Sequence, residues 1–167
     1  MAEVFISFIH EEELVAPGVA EFLSNVLGEA VKPFMSSDTS AIYAGERWMD
    51  RIVEELKGAK VVVAILSPVS VQRPWVNFEA GAAWITDKII IPVCFKGLIK
   101  DGLPKPYSSL QAVNLDNLDD QEYLVKSVAH HLQLPAPPAK FGLFRSREEQ
   151  SKIDGPYEAL RMFLESC

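Results

Sequence analysis

The sequence predicts an α/β domain built on a flavodoxin-like, doubly wound parallel sheet of five strands, ordered 2-1-3-4-5, with helices on both faces. Three observations carry this expectation. Short β-type runs alternate with helical patterns from the first residues to about residue 134. Two of the runs, Val61–Leu66 and Ile89–Phe95, are continuously apolar, as in strands covered on both faces. Finally, 167 residues with 49% hydrophobic content suffice for one compact domain with a real core.

The elements follow in order. Val4–Phe8 is a β-type run at the very start. Val19, Phe22, Leu23 and Val26 recur at helical spacing, with Pro17 where a helix begins. Val31–Met35 gives a weaker strand signal, and Ser36–Gly45 is a polar loop. Trp48, Ile52 and Leu56, with Met49 and Val53, mark an amphipathic helix ending at Gly58. After the run closing at Leu66, Ser67–Arg73 is a loop, and Pro74 opens a helix reaching about Thr86. Beyond Ile89–Phe95, residues Lys96–Leu110 are irregular, and Ala112–Leu115 gives a short fifth strand. Asp119 and Glu122 form a capping-box pattern before Leu124, Val128 and Leu132, the last helix of the core. The domain therefore spans 1–134. Residues 135–167 form an appendage: a stiff Pro135-Ala-Pro-Pro138 spacer, then a helix over Pro156–Glu165 that packs back on the domain or leads to another module.

Composition excludes several classes. A net charge of −7 argues against sequence-independent nucleic-acid binding, which needs Lys and Arg to neutralise phosphates. No apolar run approaches the roughly 20 residues that span a bilayer, and the start carries no secretory pattern, so a cytoplasmic protein is expected. Cys94 lies in an apolar run and reads as a core thiol; neither it nor Cys167 has metal-ligand spacing, so no metal is expected. His130 and His131 fall at a helix C-terminus, where partial negative charge favours imidazolium.

In an open α/β sheet, ligands bind beyond the carboxyl ends of the strands where the strand order reverses. Here that point lies between strands one and three. The segment after Phe8, the Ser36–Gly45 loop and Ser67–Trp75 converge on it. No phosphate-binding P-loop, no glycine fingerprint after strand one, no Asp ending strand three, no Cys-x-x-Cys and no Gly-x-Ser-x-Gly is present. What remains is Trp75-Val-Asn-Phe-Glu79, in which an indole and a carboxylate four residues apart share one helix face. Glu79 has two readings on spacing alone: an acid stabilising a helix N-terminus, or a partly desolvated carboxylate suited to developing positive charge.

Three segments together resemble the Toll/interleukin-1 receptor (TIR) family, over roughly Ala2–Leu134. They are Val4-Phe-Ile-Ser-Phe8, the stretch from Asp38 to Trp48 containing Ala44-Gly-Glu-Arg-Trp48, and Val61–Pro68 followed by Trp75 and Glu79. The resemblance implies one of two functions. Some TIR domains are interaction modules. Others, of which the bacterial examples act in anti-phage defence, cleave NAD+ at the nicotinamide–ribose bond, giving nicotinamide and ADP-ribose or a cyclic isomer. In those enzymes the Glu matching Glu79 is catalytic and NAD+ is the substrate, with no cofactor.

The resemblance also implies that Trp75 flanks the nicotinamide or ribose, against a bland reading as a core indole. Phe8 and Ile9 leave strand one at the crevice and contact the nucleotide, although core packing explains Phe8 equally well. Here Ile9-His10 replaces the family's usual aromatic-Ser pair. Tyr43 lies in the Ser36–Gly45 loop and Arg47 beside it, with Arg47 either meeting a phosphate or standing as a solvated helix-start charge. TIR partners join head to tail, the Ser36–Gly45 loop of one copy completing the crevice of the next. A third, weaker reading is a nucleotide-sugar or deoxyribosyl transferase.

Overall fold

The computed structural model describes residues 3–9, 12–28, 34–35, 48–73, 81, 86–138 and 147–167. In chain order these give β1 (Val4–Ser7), α1 (Ala16–Leu27), β2 (Phe34–Met35), α2 (Trp48–Gly58), β3 (Val61–Leu66), β4 (Ile89–Cys94), β5 (Val113–Asn114), α3 (Leu118–His131) and α4 (Arg147–Ser166). The strands form one sheet in the order β2-β1-β3-β4-β5, and every neighbouring pair is parallel. Each strand is therefore followed by a crossover, and chain direction across the sheet reverses between β1 and β3.

Why these strands lie at the centre follows from their composition. β3 reads Val-Val-Val-Ala-Ile-Leu, and all six of its residues are buried. Successive side chains of a strand point to opposite faces, so an all-apolar strand needs cover on both. That cover is present. Val61, Val63 and Ile65 join one cluster with Val19, Phe22 and Leu23 of α1 and with Leu124, Val125 and Val128 of α3. Val62, Ala64 and Leu66 join a second cluster on the other face with Leu56 of α2, Cys94 and Tyr107.

Local chemistry differs from the sequence expectation at three places. α3 starts at Leu118, not after Asp119, because Asn117 is its N-cap: the Asn117 side-chain oxygen accepts the Asp120 N–H at 3.0 Å. α4 begins at Arg147 and runs through Pro156 for 20 residues, whereas the sequence pattern places a helix start at Pro156. It packs back on the domain: Tyr157 and Leu160 are buried in the first cluster, and the rings of Phe22 and Tyr157 meet edge to face at 5.0 Å. Finally, His131 is pushed below the ordinary histidine range, first by burial and then by neighbouring His130, the direction opposite to the one the helix C-terminus favours.

β5 is short and pairs only with Val93 and Cys94, so the first half of β4 has no outer strand neighbour among the described residues. No helix among the described residues is long and apolar enough to cross a membrane.

Candidate functional site

The crevice created by the reversal of strand order lies beyond Ser7 of β1 and Leu66 of β3. Its rims are two turns, and each is closed by its own hydrogen bonds. After β1, the Glu12 N–H donates to the Ile9 carbonyl at 2.9 Å and the Val15 N–H to the Glu12 carbonyl at 2.9 Å, which leads the chain into α1. After β3, the Val71 N–H donates to the Ser67 carbonyl at 3.2 Å, and a 3-10 turn follows over Ser70–Gln72.

One carboxylate joins the two turns. Glu12 Oε2 accepts the Ile9 N–H at 3.2 Å, so the turn is bonded reciprocally by backbone and side chain. Glu12 Oε1 accepts the Ser67 hydroxyl at 2.5 Å, across 55 residues of sequence. Ser67 and Ser70 are bonded in both directions: the Ser67 N–H donates to Ser70 Oγ at 2.7 Å, and the Ser70 N–H donates to Ser67 Oγ at 3.2 Å. Glu12 and Ser70 are 0% exposed and Ser67 is 3% exposed. A buried carboxyl without partners is costly, and this one has a donor on each oxygen. The network is enclosed as well as satisfied, so it frames the crevice without itself touching a ligand there.

The residues singled out from sequence fall into two groups. Phe8 is 4% exposed and sits in the core cluster beneath α1 and α3, while Ile9 is half-buried and packs against the opposite cluster. Alternation along the strand sends them to opposite sides of the sheet. Tyr43, Arg47, Trp75 and Glu79 lie outside the described residues, as does the Ser36–Gly45 loop. Arg73, the last described residue of the turn after β3, donates its N–H to the Ser70 carbonyl at 2.9 Å. Reading the sequence did not single out Glu12 or Ser70. The signal available was the Ser67-Pro-Val-Ser70 spacing, typical of a side-chain-closed turn. Which member of Glu11-Glu12-Glu13 would turn inward had no sequence signal.

A cavity of about 480 Å3 lies at the other end of the sheet, where Lys88 and Ile89 enter β4 and Gln111 precedes β5, closed on one side by Tyr123 and His131 of α3. In an open α/β sheet, however, ligand binding belongs to the opposite end, at the carboxyl ends of the strands.

Comparison with known proteins places this geometry. The sequence profile of the TIR domain matches residues 4–128. No curated protein matches the chain. Among solved structures it is similar to a metazoan TIR-STING receptor from C. gigas. In complex with 2',3'-cGAMP, that receptor superposes with a TM-score of 0.58 at 22% identity, over 77% of this chain and 39% of the receptor. A second structure of the receptor gives 0.56 at 20% identity, over 82% of this chain and 42% of the receptor. At these identities the likeness is one of fold, and this chain spans about two-fifths of the receptor's length.

Proposed function

Because the chain belongs to the TIR domain family, we propose that it is an NAD+ glycohydrolase or cyclase that breaks the nicotinamide–ribose bond, with Glu79 as its catalytic carboxylate. The observation that supports this most is the path of the chain out of β3. The turn Ser67–Gln72 is bonded to the turn after β1 at the crevice, and it ends at Arg73, two residues before Trp75 and six before Glu79. Arg73, the last described residue ahead of the Trp-x-x-x-Glu segment, thus lies at the rim of the crevice where an open α/β sheet takes its ligand.

The chemistry needs little more than one acid. Nicotinamide leaves as a neutral pyridine, so its departure requires no proton. The ribose left behind carries oxocarbenium character, as in glycoside hydrolysis. A carboxylate held close to that carbon stabilises the charge most where water is scarce. Water attack then gives ADP-ribose, and attack by the adenine end of the same molecule gives a cyclic isomer. Trp75 forms a flat wall beside the leaving ring, Ile9 borders the nucleotide, and Arg47 meets a phosphate from the loop side. Copies join head to tail through the Ser36–Gly45 loop, and the activity serves anti-phage defence.

The test is to incubate concentrated protein with NAD+ and follow nicotinamide release, with Glu79→Ala in parallel. We expect turnover in the parent and a loss of at least about 100-fold in the variant, the scale on which charge-stabilising groups act. Chromatography against ADP-ribose and its cyclic isomers identifies the product. No release from the parent, even when assembly is forced by crowding, would leave the protein as a TIR interaction module.

A further inference from the structure

We propose that Glu12 is a positioning residue that ties the turn after β1 to the turn after β3 and so fixes the crevice at the spacing its nucleotide requires. Two features of the structure carry this. First, the carboxyl is 0% exposed, so its role is not contact with a ligand. Second, its two oxygens are divided between the two rims, one taking the Ile9 N–H and the other the Ser67 hydroxyl. Ser67 is in turn locked to Ser70, so a shift of Glu12 is passed to the segment that leads to Arg73.

Elementary hydrogen bonding says what each substitution does. Glu12→Ala takes the side-chain acceptor from the half-buried Ile9 N–H and leaves the Ser67 hydroxyl only the longer contact to Ser70 Oγ at 3.5 Å, so nothing joins the two rims through this side chain. Glu12→Gln keeps the length of the side chain: its amide oxygen accepts the Ile9 N–H, and its amide nitrogen donates to Ser67 Oγ, which redirects its own proton to Ser70. The tie therefore survives in Gln and is lost in Ala. A role for the negative charge itself would fail in both.

The identity of the nucleotide rests on the NAD+ reading above, whereas the tie does not, and the experiment separates them. Nicotinamide release is measured as kcat and KM for the parent, Glu12→Ala, Glu12→Gln and Ser67→Ala, alongside melting temperatures and amide exchange of Ile9 by NMR. For Glu12→Ala we expect KM to rise about tenfold with kcat within about threefold of the parent, the pattern of lost binding rather than lost transition-state contact. Ile9 amide exchange should quicken by about tenfold, reporting the opened rim. Glu12→Gln should restore both, and Ser67→Ala should shift KM in the same direction by less. Unchanged KM and unchanged Ile9 exchange in Glu12→Ala overturn the proposal, as does a Gln variant that folds like the parent yet fails like Ala. If Glu12→Ala does not fold, Ser67→Ala and Glu12→Gln carry the same decision. Should the parent release no nicotinamide, the NAD+ reading falls, and Ile9 exchange alone decides the tie.

Discussion

At the scale of single residues, burial decides chemistry more than residue type does. Cys94 is fully buried and Cys167 is exposed. Burial pushes the Cys94 thiol up to about 11, with Asp120 adding to the shift and Lys100 opposing it. The thiolate is the reactive form, so Cys94 is inert at neutral pH. Titration of native protein with a thiol reagent at pH 8 should therefore modify one thiol per chain, at Cys167, and denaturant should release the second. Rapid modification of both under native conditions would contradict the buried assignment. The same factor limited what could be read of the site. Cys94 was legible because the run around it is apolar. Glu12 was not, because three adjacent glutamates look alike in sequence and only the folded turn selects the one that faces Ser67.

At the scale of elements, the contact of α1 with α4 is set by one missing side chain. A Cβ built on Gly18 would stand 2.5 Å from the Phe163 ring, so glycine is what lets that ring lie against α1. Gly18→Ala gains about 1 kcal/mol of helix propensity but must displace an aromatic ring, and overpacking costs about 1–3 kcal/mol. We expect net destabilisation of about 1 kcal/mol, measured by denaturant unfolding. It should vanish or reverse in a Phe163→Ala background, where the obstacle is gone. Elements were legible in proportion to their length and periodicity. β3 and β4 are unbroken apolar runs and α1 keeps a clear helical repeat. The two-residue ladders of β2 and β5 are too short to set a period, so their limits came from pairing. The Asn117 cap was obscured by Asp119 and Asp120, which offer the same kind of oxygen one and two residues inside the helix.

At the scale of the whole molecule, α4 is built into the fold it follows. Tyr157 is 1% exposed, and burial together with the charge of Glu122 pushes its phenol up to about 12. Tyr157→Ala should cost about 3 kcal/mol or more, by analogy with other large aromatic truncations in cores. Removing residues 147–167 should cost more again, since Leu160 also leaves the cluster on α1. Thermal unfolding of both variants checks the order, and a truncation as stable as the parent would show that the helix is only an attachment. The sequence left this open because Pro135–Pro138 reads as a spacer and Pro156 as a fresh start, whereas docking on α1 is a long-range contact that no local pattern encodes.

The brevity of β5 has a consequence for solubility. In β4, Ile89 and Phe95 donate their N–H groups toward β3, at 3.2 Å to Lys60 and 3.0 Å to Leu66, while the Cys94 carbonyl turns the other way and accepts Leu115 at 2.8 Å. By that alternation the outward-facing positions ahead of Cys94 are Ile90 and Pro92. A stray extended chain zipping onto this lip would find one amide donor and then a proline ring where the next should be. Pro92 thereby withholds one of the two donors that strand addition would need on the flank where β4 has no outer strand neighbour among the described residues.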